Sequence, residues 1–131
     1  MQALKNIVIN GAMILALLFG LTVSATAVSV LEFEKDKALA ESGNSFYQGV
    51  LGEYYSKGNG VRQDYSKALE WFKKSANQND ASAQAVIGAM YDEGQGVRQN
   101  KTTAKEWYGK SCDNGYQSGC DYYKRLNEQG Y

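Results

Sequence analysis

Residues 52–63 read Gly-Glu-Tyr-Tyr-Ser-Lys-Gly-Asn-Gly-Val-Arg-Gln, and the same pattern is written again 36 residues later, over 88–99. Gly52, Tyr55, Gly58, Gly60, Val61, Arg62 and Gln63 recur as Gly88, Tyr91, Gly94, Gly96, Val97, Arg98 and Gln99. Just beyond, Ala68, Trp71, Lys74 and Ser75 recur as Ala104, Trp107, Lys110 and Ser111. Eleven identities in a single register are not chance, so the chain is a tandem repeat.

Each copy divides into two helical patterns. Phe46 to Lys57 carries Val50, Leu51, Tyr54 and Tyr55 at helical spacing, and Ala83 to Glu93 repeats this with Val86, Ile87, Met90 and Tyr91. Asp80 is placed to cap the second of these A helices. Gly52 and Gly88 fall mid-helix, where glycine costs about 1 kcal/mol against alanine. Close approach of a paired helix, with no room for a Cβ, accounts for that cost. Gly58, Gly60, Gly94 and Gly96 then stop the helices and reverse the chain, with Val61 and Val97 tucked beneath. Asp64 and Asn100 cap the B helices, which carry Trp71 and Trp107 among their apolar residues. A third A helix, from about Gln117 to Asn127, has no B helix after it. The expected fold is all-α: an α/α solenoid of antiparallel helical hairpins, about two and a half repeats long, over residues 45–131.

Ahead of the repeats, residues 28–44 are expected to form a capping helix and linker. The helix runs from Leu31 to Ser42, charged on the outside, with Ala40 in register with Ala76. Residues 1–27 have the grammar of a signal peptide: Lys5, an apolar run from Ile7 to Val23, then Ala25-Thr26-Ala27, with cleavage expected after Ala27. The alternative is an uncleaved anchor, since Asn6 to Leu31 is uncharged and roughly 20 apolar residues span a bilayer. Membrane association is expected only in that case. No cysteine follows the apolar run, which excludes a lipid-modified cysteine.

With 14 basic and 14 acidic residues, the chain has no footprint for nucleic acid. It contains no proline and no histidine, so a catalytic triad, a His-based zinc site and a Cys2His2 finger are all excluded. Two cysteines alone do not close a tetrahedral site, and no metal or cofactor is expected. Ala104 to Ser111 superficially matches a phosphate-binding loop, but it lies inside a helical pattern and follows no strand. There is no Ser-x-x-Lys.

The repeated residues resemble the Sel1-like repeat, a relative of the tetratricopeptide repeat. The resemblance rests on Ala83-x-Ala85, on Ile87-Gly88-x-Met90-Tyr91-x-x-Gly94-x-Gly96-Val97-x-Gln99, and on Gln63-Asp64-Tyr65-x-Lys67-Ala68-x-x-Trp71. Asn79 stands where that family usually has glycine, and Lys101 and Thr103 replace its usual tyrosine and lysine, which should weaken the second B helix slightly. The resemblance implies a non-enzymatic adaptor that presents a concave face, lined by A helices, to another protein.

Cys112 and Cys120 align with Ala76 and Gln84, two positions that the turn brings side by side, and are expected to form a disulfide in an exported protein. Their spacing is similar to that of exported cysteine-rich Sel1-like proteins of bacteria, which places the chain in the periplasm or outside the cell. Candidate partner-binding residues on the A helices are Gln48, Glu53, Tyr54, Gln84, Ala89 and Asp92. Of the ten tyrosines, Tyr55 and Tyr91 are read as packing residues, and Tyr122 and Tyr123, aligned with Val86 and Ile87, as inward. The adaptor reading leads. Two alternatives stand beside it: an immunity or inhibitor protein held in the periplasm against a toxin or wall enzyme, and a protein that binds or hydrolyses β-lactams or cell-wall ligands.

Overall fold

A computed structural model describes residues 24–131, which form six helices: α1 (Ala25–Glu41), α2 (Ser45–Lys57), α3 (Tyr65–Ala76), α4 (Ala81–Glu93), α5 (Lys101–Asp113) and α6 (Gln117–Glu128). Among the described residues there is no strand. The expected solenoid of hairpins is therefore found, with α2/α3 and α4/α5 as complete hairpins and α6 as an A helix without a B helix.

The caps are those the sequence offers. Asn44, Asp64, Asp80 and Asn100 each accept from backbone N–H groups of the following first turn. Tyr116 occupies the corresponding place before α6 and makes no side-chain cap bond. At the other end of the A helices, Gly58 and Gly94 adopt left-handed φ values of 68° and 72°. Gln63 and Gln99 then fold back, their Nε2 atoms donating to the Ser56 and Asp92 carbonyls at 2.7 Å, and so satisfy acceptors that the helix ends leave open.

Burial explains the two mid-helix glycines. A Cβ on Gly52 would lie 2.7 Å from the Phe72 ring, and one on Gly88 would lie 2.6 Å from the Tyr108 ring. Each ring is buried, so each hairpin closes by laying an aromatic side chain of its B helix across bare backbone of its A helix. The core follows the stack. Phe33, Ala40 and Leu51 form its first part; Ala68, Leu69, Phe72, Ala76, Ala83, Ile87 and Met90 the middle; Ala104, Tyr108 and Leu126 the last. Val61 packs on the first cluster and Val97 on the middle one, while Tyr55 and Tyr91 are half-buried against clusters on both sides. Trp71 and Trp107 are half-buried on the B helices, with the Lys74 and Lys110 ammonium groups 4.0 and 4.3 Å from their ring centroids.

The N-terminal helix is longer than the sequence suggests. It starts at Ala25 rather than Leu31, inside the Ala25-Thr26-Ala27 triplet, because no residue there breaks a helix and Ser24 caps it by accepting from the Ala27 N–H. It takes the place of a B helix: a Cβ on Gly60 would strike the Ser29 carbonyl oxygen, just as one on Gly96 would strike the Tyr65 backbone 36 residues on. Glu32, Glu34 and Lys35 are exposed on it, and so, nearer its start, are Val28 and Val30. Residues 1–23, which hold most of the expected signal peptide, lie outside the described residues. Among the described residues no helix is long and apolar enough to cross a membrane.

At the opposite end, Tyr122 and Tyr123 are 43% and 39% exposed, not inward. Their counterparts are Val86, itself only half-buried, and Ile87, buried where α5 packs over α4; α6 has α5 on one side and no described helix in the place of its own B helix. Lys124 stands at the position of Gly52 and Gly88, so α6 has no bare backbone on which a further ring could be laid.

Candidate functional site

Three of the six expected partner-binding residues are committed to the interior. Gln48 and Gln84 are buried, and the Nε2 of each donates to a carbonyl at the C-terminal end of the preceding B-type helix, Ala40 and Ala76, at 3.2 Å. Each side chain is also an acceptor. Gln78 Nε2 donates to Gln48 Oε1 and Asn114 Nδ2 to Gln84 Oε1, both at 2.9 Å. The result is a ladder of carboxamides running from one turn to the next, which fixes successive hairpins and satisfies buried polar atoms. Cys120 is the third member of this series. Its bond to Cys112, with the Cα atoms 4.5 Å apart, spans the same eight residues as Gln48 to Ala40 and Gln84 to Ala76. The disulfide therefore replaces a hydrogen-bonded clasp with a covalent one, at the helix whose N-terminus has no side-chain cap.

On the chain-entropy account, so short a closed loop contributes about 2 to 3 kcal/mol. Reduction, or replacement of both cysteines by serine, should release α6 first. Amide exchange should accelerate in residues 117–128 while α3 and α4 stay protected; uniform acceleration, or none, contradicts this assignment.

Asp92 is the third inward residue. It is 8% exposed and lies between two cations: Lys101 Nζ is 2.5 Å from Oδ1, and the Arg125 guanidinium pairs with Oδ2. Lys101, a departure from the usual repeat pattern, thus gains a buried partner rather than simply weakening α5. Arg125 also lies over the Tyr122 ring, which in turn packs on Tyr108 with centroids 5.0 Å apart. Burial pushes the Tyr108 phenol well above its ordinary value, with the nearby Asp92 charge adding to the effect.

Of the other three candidates one is exposed and two are half-buried against the core. Glu53 is exposed and pairs with Lys57 at 3.1 Å. Ala89 is half-buried. Tyr54 is half-buried, its ring edge-on to Phe33 and its hydroxyl donating to Asp36 Oδ2 at 2.8 Å. Its phenol is pushed up to about 12, first by burial and then by the Asp36 hydrogen bond. A folded-state value above the ordinary 10.0 means that this contribution to stability is complete below pH 10.0 and is lost as pH rises toward about 12. Tyr54→Phe should flatten the alkaline limb of a stability-against-pH curve in that window; an unchanged limb would remove Tyr54 from the account.

Because the repeat length is constant, equivalent positions fall on one side of the stack. Glu53, Ala89 and Arg125 share one position, and Val50, Val86 and Tyr122 share the neighbouring one. None of these six is buried. They form a partly apolar stripe across three A helices, acidic at the α2 end and basic at the α6 end, and Phe46 stands 65% exposed beside it on the first turn of α2. Val50, Val86, Tyr122 and Arg125 were not among the binding residues expected from the sequence, which read Tyr122 as inward. The signal was available in the alignment of positions 50, 86 and 122, but inward and outward positions separate only once the helices are paired. Among the described residues no group of histidine, cysteine, aspartate and glutamate side chains is arranged to hold a metal ion.

The sequence profile of the Sel1 repeat matches residues 48–80 and 81–116. No curated protein sequence matches. Three solved structures resemble the chain. A protective antigen present in uropathogenic Escherichia coli strains, displaying an SLR fold, is 30% identical over 80% of this chain and 22% of its own, with a TM-score of 0.74. A Sel1 repeat protein from Oxalobacter formigenes is 28% identical over 98% of this chain and 52% of its own, with a TM-score of 0.75. Helicobacter pylori cysteine rich protein B is 26% identical over 68% of this chain and 67% of its own, with a TM-score of 0.65. This chain thus spans about a fifth of the first of these and about half of the second.

Proposed function

The chain belongs to the Sel1 repeat family, and from that premise we propose that it is a non-enzymatic adaptor that holds a protein or peptide segment along the outer stripe of its A helices. One observation carries the reading: Val50, Val86 and Tyr122 recur at one position on α2, α4 and α6 and stay partly exposed, although neighbouring positions are buried. Aromatic and aliphatic side chains held on rigid helices supply contact area at little entropic cost. Glu53 and Arg125, 72 positions apart and at opposite ends of the stripe, favour a segment that is basic at one end and acidic at the other.

Export is part of the proposal. Residues 1–27 would direct the chain across a membrane and be removed after Ala27, and the Cys112–Cys120 bridge suits the oxidising compartment reached in that way. The mass of the N-terminal peptide from protein recovered from cells tests this directly.

For the binding face, a photo-crosslinking residue placed at Val86 should capture one discrete partner in intact cells. The same group at Glu70, exposed on a B helix, should not. Tyr122→Ala, in the protein without the crosslinker, should weaken that partner's binding by about tenfold, the loss of one aromatic anchor. Equal capture from both faces, or binding indifferent to Tyr122, would sink the reading.

A further inference from the structure

The start of α1 lies where processing would cut the chain. Ser24 caps the helix, its Oγ accepting from the Ala27 N–H and its carbonyl from the Val28 N–H, both at 3.2 Å, while Ser29 Oγ donates to the Thr26 carbonyl at 2.9 Å. Cleavage after Ala27 breaks all of these bonds. It also removes the carbonyls of residues 25–27, the acceptors that a continuous helix offers to the N–H groups of Ser29, Val30 and Leu31. Val28 stands in the register of Asp64 and Asn100, which cap α3 and α5, but valine has no side-chain acceptor. A charged α-amino group left in the first turn would also oppose the positive end of the helix dipole.

The residues that follow the cut supply a replacement. In Val28-Ser29-Val30-Leu31-Glu32-Phe33 a serine is followed three places later by a glutamate, with an apolar residue immediately before and immediately after that span. This is the pattern of a capping box closed by a hydrophobic staple. Glu32 is exposed and forms no hydrogen bond or ion pair with another described residue. Phe33 is 5% exposed and packs edge-on to Tyr54 and Tyr55, whereas Val28 is 36% exposed. The Ser29 carbonyl lies against Gly60, so the helix is fixed to the first Gly-x-Gly turn at this point. An N-cap residue keeps its carbonyl in the helical ladder while the chain before it turns away, so Ser29 can cap without leaving Gly60.

We propose that α1 carries two N-caps and exchanges them at processing, Ser24 serving the precursor and Ser29 the mature chain. In the mature chain Ser29 Oγ accepts from the Glu32 N–H, the Glu32 carboxylate accepts from the Ser29 N–H, and Val28 folds onto Phe33. The exchange rests on the cleavage after Ala27 proposed above. Through it the helix that stands in the place of the first B helix, and closes that end of the stack, outlasts the loss of its first turn. The new amino group is carried outside the helix, toward the Glu32 carboxylate.

The test compares protein processed in cells with the full chain carrying Ala27→Leu, held in detergent micelles. A signal peptidase needs a small residue before the cut, so this substitution blocks cleavage; Ala27 is exposed and leucine suits a helix, so α1 is left as it is. In the processed protein Ser29→Ala and Glu32→Ala should each accelerate amide exchange across Phe33–Ala40 about fivefold, the effect of one lost cap. In the uncleaved chain neither should change it. Glu32→Gln keeps the reciprocal bond without the charge and should exchange as the parent does. Intact mass keeps two failures apart. Processed protein that does not begin at Val28 overturns the cleavage reading and the exchange with it. Protein that begins at Val28 but is indifferent to Ser29→Ala, or responds to it equally in both forms, overturns the exchange alone.

Discussion

Gly96→Ala should destabilise the protein by about 2 to 4 kcal/mol, about twice the effect of Gly94→Ala two residues earlier. Both glycines have a left-handed φ, 72° at Gly94 and 66° at Gly96, so an alanine meets the same conformational penalty of about 1 to 2 kcal/mol at either. Their surroundings differ. A Cβ on Gly94 would meet Gln99 at 3.2 Å, a contact that a small shift relieves, whereas one on Gly96 would lie 2.5 Å from the Tyr65 carbonyl carbon. Backbone at the start of α3 has no rotamer to change, so the hairpins themselves must separate. Gly60→Ala is the internal comparison. It has the same φ and an equally close neighbour in the Ser29 backbone, but that neighbour lies near the start of the outermost helix and can move aside. Urea unfolding of the three variants should rank Gly96→Ala as the most damaging; equal losses at all three would mean that conformational strain alone sets the cost.

This ranking shows which parts of the molecule the sequence discloses. Glycines that recur 36 residues apart announce turns and close packing, because the physical demand is local and is made twice. The N-caps at Asp64, Asp80 and Asn100 were legible for the same reason. The pairing of Cys112 with Cys120 followed from placing two positions on either side of a known turn. Legibility ended where a residue's role depends on a neighbour that is missing or on one supplied by a distant helix. Tyr123 aligns with the buried Ile87 but is exposed, because no described B helix follows α6, and Tyr122 aligns with Val86, which is itself only half-buried. Gln48 and Gln84 look like polar surface residues on A helices, yet each closes a turn and joins it to the next through a residue 30 positions away. Asp92 looked available for the same reason, and its two cations come from α5 and α6.

The distinction bears on function. Residues repeated in both complete hairpins, Gly52 and Gly88 or Gln48 and Gln84, are occupied in holding the stack together. The positions left to serve a partner are those where the copies agree in place but differ in chemistry, such as Glu53 and Ala89; Arg125, at the same position on α6, is also a counter-ion of Asp92.

Replacing Lys101 and Arg125 together by alanine should cost about 3 to 5 kcal/mol, far more than either alone, because Asp92 would then be a buried carboxylate with no counter-ion. With one cation left, the remaining group stays within contact of the carboxylate. Lys101 and Arg125 keep 31% and 46% of their side-chain surface exposed, so each alone contributes the modest amount of a half-solvated pair. The burden falls on Asp92, whose side chain is only 9% exposed and sits among Tyr108 and its neighbours. Asp92→Ala should therefore be the milder lesion, since the two cations it releases can turn into water. Adding Asp92→Ala to the double variant should recover a large part of the loss, even though it deletes yet another polar group. A denaturant-unfolding cycle over the single, double and triple variants measures this coupling. Strict additivity, or a triple variant weaker than the double, would show that Asp92 is held by its backbone surroundings rather than by the two cations that join α4 to α5 and α6.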